Sequence, residues 1–181
     1  EKTFSSVVVE AGVDGIGEKA FFGQESLTSI TLPDTVTTIR EEAFSDCTNL
    51  VNIDLPDSIT TLGNWAFRNT GLTQVNIPAN VTFLGPVFQD CSNLTSVVIP
   101  NGVEEVYGTF NDCTNLKQIT IPASVTTIDS LGYSYGIGSL FAGCNSLQNI
   151  IYQGTWELWA QKTVFSWTPN LDRLLTVECG G

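Results

Sequence analysis

The sequence predicts an α/β solenoid with a stacked parallel β-sheet, short extended segments and short helical or 3₁₀ turns. Three observations carry this. Leu-Pro or Ile-Pro steps end at Pro33, Pro56, Pro78, Pro100 and Pro122, at separations of 23, 22, 22 and 22 residues. A fixed period in this range marks a coil that buries its apolar side only against the next coil. Before each proline the residues alternate inward and outward with the period of a strand, and after it an aromatic recurs at one place in the unit.

The strand segments are 27–32, 50–55, 72–77, 94–99, 116–121 and 147–152, as in Leu27-Thr-Ser-Ile30-Thr-Leu32. Proline cannot donate to a ladder, so pairing should stop after each one. A second extended segment follows at 36–39, 59–62, 81–84, 103–106 and 125–128, with its first and last residues inward. Phe21, Phe44, Phe67, Phe88, Phe110 and Phe141 come next, each expected on a short helical or 3₁₀ turn that plugs the coil. Residues 4–10 fit the same frame with Glu10 in the proline place, 23 before Pro33. The chain is therefore expected to open inside a turn, as a piece of a longer protein or behind a cap. About six coils stacked at about 4.8 Å give an axis on the order of 30 Å. The expected organisation is a single domain over 1–181: repeats over 4–150, an insertion at 129–138, and a capping unit over 151–181.

The repeat resembles the BspA-like leucine-rich repeats of bacterial and protist surface proteins. The residues that carry the resemblance are Ile-Gly…Ala-Phe-x-x-Cys-x-x-Leu-x-x-Ile-x-Leu-Pro and the Val-Thr-x-Ile that follows, over about residues 4–152. Tyr152-Gln-Gly-Thr155, Trp159, Trp167 and Val177-x-Cys179 look like the closing unit of such domains. The resemblance implies a right-handed, curved leucine-rich-repeat solenoid, an extracellular or cell-surface location, and adhesion to host or matrix proteins. The sequence departs from the pattern in three places. Gln24 and Thr70 stand where Cys is expected, and the step from Thr70 to Leu72 is one residue short. Between Ile128 and Phe141 the gap is 13 residues, against 5 from Ile39 to Phe44.

Net charge is −12, from 19 Asp+Glu against 7 Lys+Arg. Nucleic acid and anionic membrane surfaces attract basic patches, so the charge argues against both; no nucleic-acid partner and no membrane insertion are expected. No apolar run approaches the roughly 18 residues that span a bilayer. The chain has no Met, so its first residue is expected to be a processed or trimmed end, and a missing export signal is uninformative. With no His in the chain, Cys-His nucleophilic catalysis and His-containing zinc sites are excluded.

Cys47, Cys91, Cys113 and Cys144 share one repeat position and are read as a buried ladder of small apolar residues; a disulfide between neighbouring coils stays open at this point. Solenoid spacing strings these sulfurs along a line, which argues against a Cys₄ zinc site. Cys179 is read as a packed residue of the closing unit. Glu41-Glu42 and Glu104-Glu105 are adjacent, so their side chains face opposite ways and make no acid/base pair. Asp34 and Asp57 align after their prolines; they are read as turn formers in preference to a weak calcium column. Gly136-Ile-Gly138 lacks the strand-to-helix context of a phosphate loop. Thr155 is expected to N-cap a short helix through Lys162, and Trp156, Trp159 and Trp167 to serve the cap. Asn80-Val-Thr82 and Asn93-Leu-Thr95 match the glycosylation sequon, a weak signal in so Thr-rich a chain.

No catalytic residue, cofactor or metal is predicted. The expected binding surface is the outward column of the strands, which solenoid curvature makes an extended face. Its candidates are Asn52, Asp54, Gln74, Asn76, Ser96, Gln118 and Thr120. Tyr133 and Tyr135, set among Gly and Ser in the insertion, are the second candidate contact. The expected partner is an extracellular protein or glycan, with the chain acting as a monomer or part of a longer protein. The competing expectation is a spacer that displays another domain and holds no ligand.

Overall fold

A computed structural model describes residues 3–128, 140–161 and 176–179. They form a parallel-strand solenoid of about six coils, each 22–23 residues long, as the proline period requires. One column holds the strands Ser6–Val8, Ser29–Thr31, Ser96–Val98, Gln118–Ile121, Asn149–Tyr152 and Thr176–Cys179. The opposite column holds two-residue strands, from Gly15–Ile16 to Thr127–Ile128. All pairings are parallel, with identical repeat positions side by side, for example Val97↔Ile119 and Ile119↔Ile150.

The inward positions behave as their alternation demands. Leu27, Leu50, Leu72, Leu94, Leu116 and Leu147 are buried, as are Ile30, Ile53, Val97, Ile119 and Ile150. The first and last residues of each second segment, such as Val81 and Leu84, close the other side. Between them runs a stack of phenylalanines: Phe21, Phe44, Phe67, Phe88 and Phe110 lie with ring centroids 5.1, 5.2, 5.6 and 6.0 Å apart and nearly parallel planes. Offset aromatic stacks add about 0.5–1.5 kcal/mol per pair to the area they bury.

Two expectations need correction. The first concerns the α/β label and the helical turns around the phenylalanines. Among the described residues the one helix is Trp156–Gln161, so the fold is nearly all strand and turn. A helix cannot form around Phe44 because its neighbours alternate in handedness: Glu42 has φ 51° and Asp46 has φ 63°. Lys19 and Gly23, and Trp65 and Asn69, repeat this pair at φ between 51° and 67°. Alternation turns every second N–H group along the solenoid axis, while those between, such as Ala20 and Phe22, donate within their own coil. The N–H groups of Lys19, Phe21 and Gly23 donate to the carbonyls of Glu41, Ala43 and Ser45, and those of Glu42, Phe44 and Asp46 donate to Asn64, Ala66 and Arg68. Backbone donors that a helix would use internally thus fasten one coil to the next, satisfying groups that burial would otherwise leave unpaired.

The second correction concerns the segments 50–55 and 72–77, which alternate like the others yet join no ladder. No backbone hydrogen bond links residues 29–31 to 52–54, 52–54 to 74–76, or 74–76 to 96–98; neighbours meet only at Thr73 N to Val51 O and Thr95 N to Thr73 O. The opposite column is also broken, between Thr61–Leu62 and Phe83–Leu84. The coil repeat changes type here. Earlier coils place five residues from Ile39 to Phe44 and three from Cys47 to Leu50; the coil of Phe67 shortens the second step to two, Thr70 to Leu72. From Leu84 to Phe88 the first step becomes four and the second returns to three. Moving a one-residue deletion around the coil changes how neighbouring backbones align on either side of 72–77, and a ladder needs donors and acceptors in phase. The steps flanking 29–31 and 52–54 are equal, so step length does not explain the lapse between those two. Gly71 accommodates the short step: a Cβ there would lie 2.4 Å from the Thr48 carbonyl oxygen.

Candidate functional site

Where the ladder is interrupted, the strand face carries an open groove of about 250 Å³ lined by Asn52, Ile53, Asp54, Gln74, Val75 and Asn76. Ile53 is buried and Val75 half-buried, so they form the floor; the four polar residues are exposed and form the walls. Four of the predicted contact residues therefore come together. Among the described residues none of these four side chains makes a hydrogen bond or ion pair, and the peptide groups of 52–54 and 74–76 form no backbone hydrogen bonds.

The other predicted residues differ. Ser96 is exposed on the next strand, and Gln118 is half-buried beyond it. Thr120, in register between Val98 and Ile151, is 9% exposed, which takes it out of reach of a surface partner. Tyr133, Tyr135, the insertion 129–138 and Trp167 lie outside the described residues, as does the side chain of Trp159. Thr155 is the N-cap: the Leu158 N–H donates to its Oγ1 at 3.4 Å, and the helix is described over Trp156–Gln161, with the expected end at Lys162 outside the described residues.

The five cysteines are free thiols; Cys47, Cys91, Cys113 and Cys144 are core residues and Cys179 is half-buried against the core. Each sulfur in the column donates to the phenylalanine carbonyl of the preceding coil: Cys47 to Phe21, Cys91 to Phe67, Cys113 to Phe88 and Cys144 to Phe110, at 3.1–3.2 Å. Burial pushes the Cys47 and Cys91 thiols up to about 11 and that of Cys144 up to about 12. Cys113 is raised as well, by burial first and then by its neighbours Cys91 and Cys144. A thiol so held is a poor nucleophile, because the thiolate is the reactive form. Thr70 replaces the missing sulfur with a hydroxyl that donates to the Phe67 carbonyl at 2.9 Å and lies 3.3 Å from Cys91 Sγ.

A surface feature that the repeat reading missed lies on the opposite column. The rings of Phe83, 42% exposed, and Tyr107 meet at 5.4 Å, and the Tyr107 hydroxyl donates to Glu105 Oε2 at 2.8 Å. The available signal was Phe83 itself, which stands where other repeats place Thr38, Thr61, Glu105 and Thr127. Among the described residues no three Cys, Asp or Glu side chains gather as a metal site, and no helix is long and apolar enough to cross a membrane.

Known proteins share this architecture. The chain is similar to the leucine-rich repeat protein of T. pallidum, with 31% identity, TM-score 0.70, and coverage of 81% of this chain and 68% of that one. It shares its fold with a leucine-rich cell surface protein of Faecalibacterium prausnitzii A2-165, at 23% identity and TM-score 0.55, over 91% of this chain and 64% of that one. The same holds for a leucine-rich repeat protein of Bacteroides ovatus, at 23% identity and TM-score 0.53, over 82% of this chain and 55% of that one. The chain thus spans under two thirds of the length of the last two. No curated protein matches it in sequence. A family model described as a BspA type leucine-rich repeat region matches residues 14–139 in 6 copies, and with the coil geometry above this places the chain in the BspA-type leucine-rich repeat family.

Proposed function

We propose that this chain is a non-enzymatic binding module of a cell-surface or secreted protein, and that its ligand, a protein or glycan of the surroundings, docks on the strand face at the Asn52–Asp54–Gln74–Asn76 groove. The observation that carries the reading is the coincidence of a concave site, four uncommitted polar side chains and an interrupted ladder at one place on the face. Several comparable side chains elsewhere are used inside the fold: Asn49 Nδ2 donates to the Glu25 carbonyl, Asn80 Nδ2 to that of Asp57, and Asn69 Nδ2 to Asp46 Oδ1. Pockets that hold small molecules are usually about 300–1,000 Å³, so a groove of about 250 Å³ suits one protruding group of a larger partner. The buried thiols, unavailable as nucleophiles, agree with a non-catalytic role.

The test is an array of matrix proteins and glycans probed with the wild-type chain and with Asn52→Lys/Gln74→Lys/Ser96→Lys, all at exposed positions. Loss of at least tenfold in binding of every specific partner is expected. Partners bound equally well by both chains would remove the strand face as the site. A wild-type chain that binds nothing would leave the spacer role in its place.

A further inference from the structure

We infer that the groove, read as the binding site above, accepts a cationic side chain, an arginine in an extended segment of a partner protein. Its walls offer Asn52 Oδ1, Gln74 Oε1, Asn76 Oδ1 and the Asp54 carboxylate, and no Lys or Arg lines it. Asp54 is the one charge among them, and it forms no ion pair among the described residues. An anionic group entering here would face that carboxylate without compensation. A guanidinium brings five N–H donors and no acceptor, so every wall residue can turn an oxygen toward it. The unladdered carbonyls of 52–54 and 74–76 enlarge the same set of acceptors. The volume matches a single side chain.

The surroundings fit a chain lying across the coils. Ser29 and Thr31 on one side and Ser96 on the other are short, exposed and uncharged, so they neither block nor repel a backbone crossing the groove. A net charge of −12 adds long-range attraction for a basic segment, a steering effect that falls with salt. Specificity must come from the groove, because net charge alone attracts any cation.

Fluorescence anisotropy with a labelled, end-blocked Gly-Arg-Gly-Arg-Gly peptide tests this on the whole chain, with the Glu counterpart as the second probe. The Arg peptide should bind and the Glu peptide should not. Asp54→Asn should weaken binding roughly 10–100-fold, the range for a lost charge-assisted hydrogen bond. Glu104→Gln, at an exposed position on the second extended segment, removes the same unit of charge away from the groove and should stay within about twofold. Equal losses from the two variants would overturn the inference, since diffuse attraction would then explain the binding. Absence of Arg-peptide binding would overturn it too. If the array partners were still lost on adding Gln74→Lys, the strand-face reading would stand without the arginine; if they were retained, both would fall.

Discussion

The turn column and the strand column of this solenoid use the same kinds of residue to opposite ends. Along the turn column every described coil is fastened to the next, through Phe21, Phe44, Phe67 and Phe88 N–H groups and, between the last two repeats, Asp112 N to Ala142 O. Two amides there are committed too: Asn69 holds Asp46, and Gln89 Oε1 accepts from Trp65 Nε1 at 2.9 Å. Along the strand column the fastening lapses from Thr31 to Ser96, and there the side chains of Asn52, Gln74 and Asn76 hold no other described residue. A stacked coil can therefore leave one face unsatisfied for a partner because another column carries the stacking. At the change of coil type the turn column is the continuous link, and the expected effects of mutation follow from that asymmetry.

The largest effect should come from Phe67→Ala, which removes the fully buried ring between Phe44 and Phe88 at the change of coil type. A loss of about 3–5 kcal/mol is expected from transfer and cavity terms, measured by urea unfolding. A loss under about 1 kcal/mol would mean that the coils do not depend on the stack there.

Gly71→Ala sharpens the account of the short step. Its Cβ would press on the Thr48 carbonyl oxygen at 2.4 Å, whereas a Cβ at Gly17 meets nothing within 4 Å. Overpacking of this kind costs about 1–3 kcal/mol, so Gly71→Ala should unfold well before Gly17→Ala in the same denaturant series. Equal midpoints would remove the close approach as the reason for glycine at this position.

How much of this was legible beforehand depends on what each feature needs. The coil outline, the buried Phe and Cys places and the inward strand residues follow from a period that each repeat states for itself. The lapse of the ladder does not. Segments 50–55 and 72–77 alternate as well as 116–121 does, but pairing depends on the phase between coils, which alternation inside one segment does not record. The missing residue between Thr70 and Leu72 was visible; its consequence for Asn52 and Asp54, one coil away, was not. The turns were misread for a related reason. Left-handed backbone at Lys19, Glu42 and Trp65 carries no glycine to announce it, and only stacking against the next coil pays for it. The outward column could be picked out from the sequence, yet nothing in it separated Gln74 in the groove from Thr120 under its neighbours.

The thiol column makes an alkaline prediction. A thiol is neutral when protonated, and in the fold Cys47 and Cys91 hold their protons to about 11 against an ordinary 9.0. Between those values the unfolded chain binds fewer protons than the folded one, so stability falls as pH rises through 9 to 11. Each thiol contributes a slope of up to about 1.4 kcal/mol per pH unit. Cys91→Thr, which copies the residue found at Thr70, should flatten the decline in urea midpoint over this range. An unchanged slope would show that the titrating groups are elsewhere.

The smallest effect tests whether surface charge helps to hold the coils at their change of type. Arg68 Nε donates to Asp90 Oδ2 at 2.8 Å across this boundary, with the two side chains 47% and 28% exposed. The bond raises the Arg68 pKa, and the Asp90 charge adds to it. Water screens so exposed a pair, and such bridges are worth about 0.2–1 kcal/mol. Arg68→Ala should therefore lower stability by that amount in low salt and by less in 1 M NaCl, where charges are screened within about 3 Å. A double-mutant cycle with Asp90→Ala isolates the pair from the packing of the arginine stem. A coupling above about 2 kcal/mol would mean that the turn column relies on charge at this point, and that the backbone bonds from Trp65, Phe67 and Asn69 to Pro86, Val87 and Gln89 are not sufficient to carry the boundary.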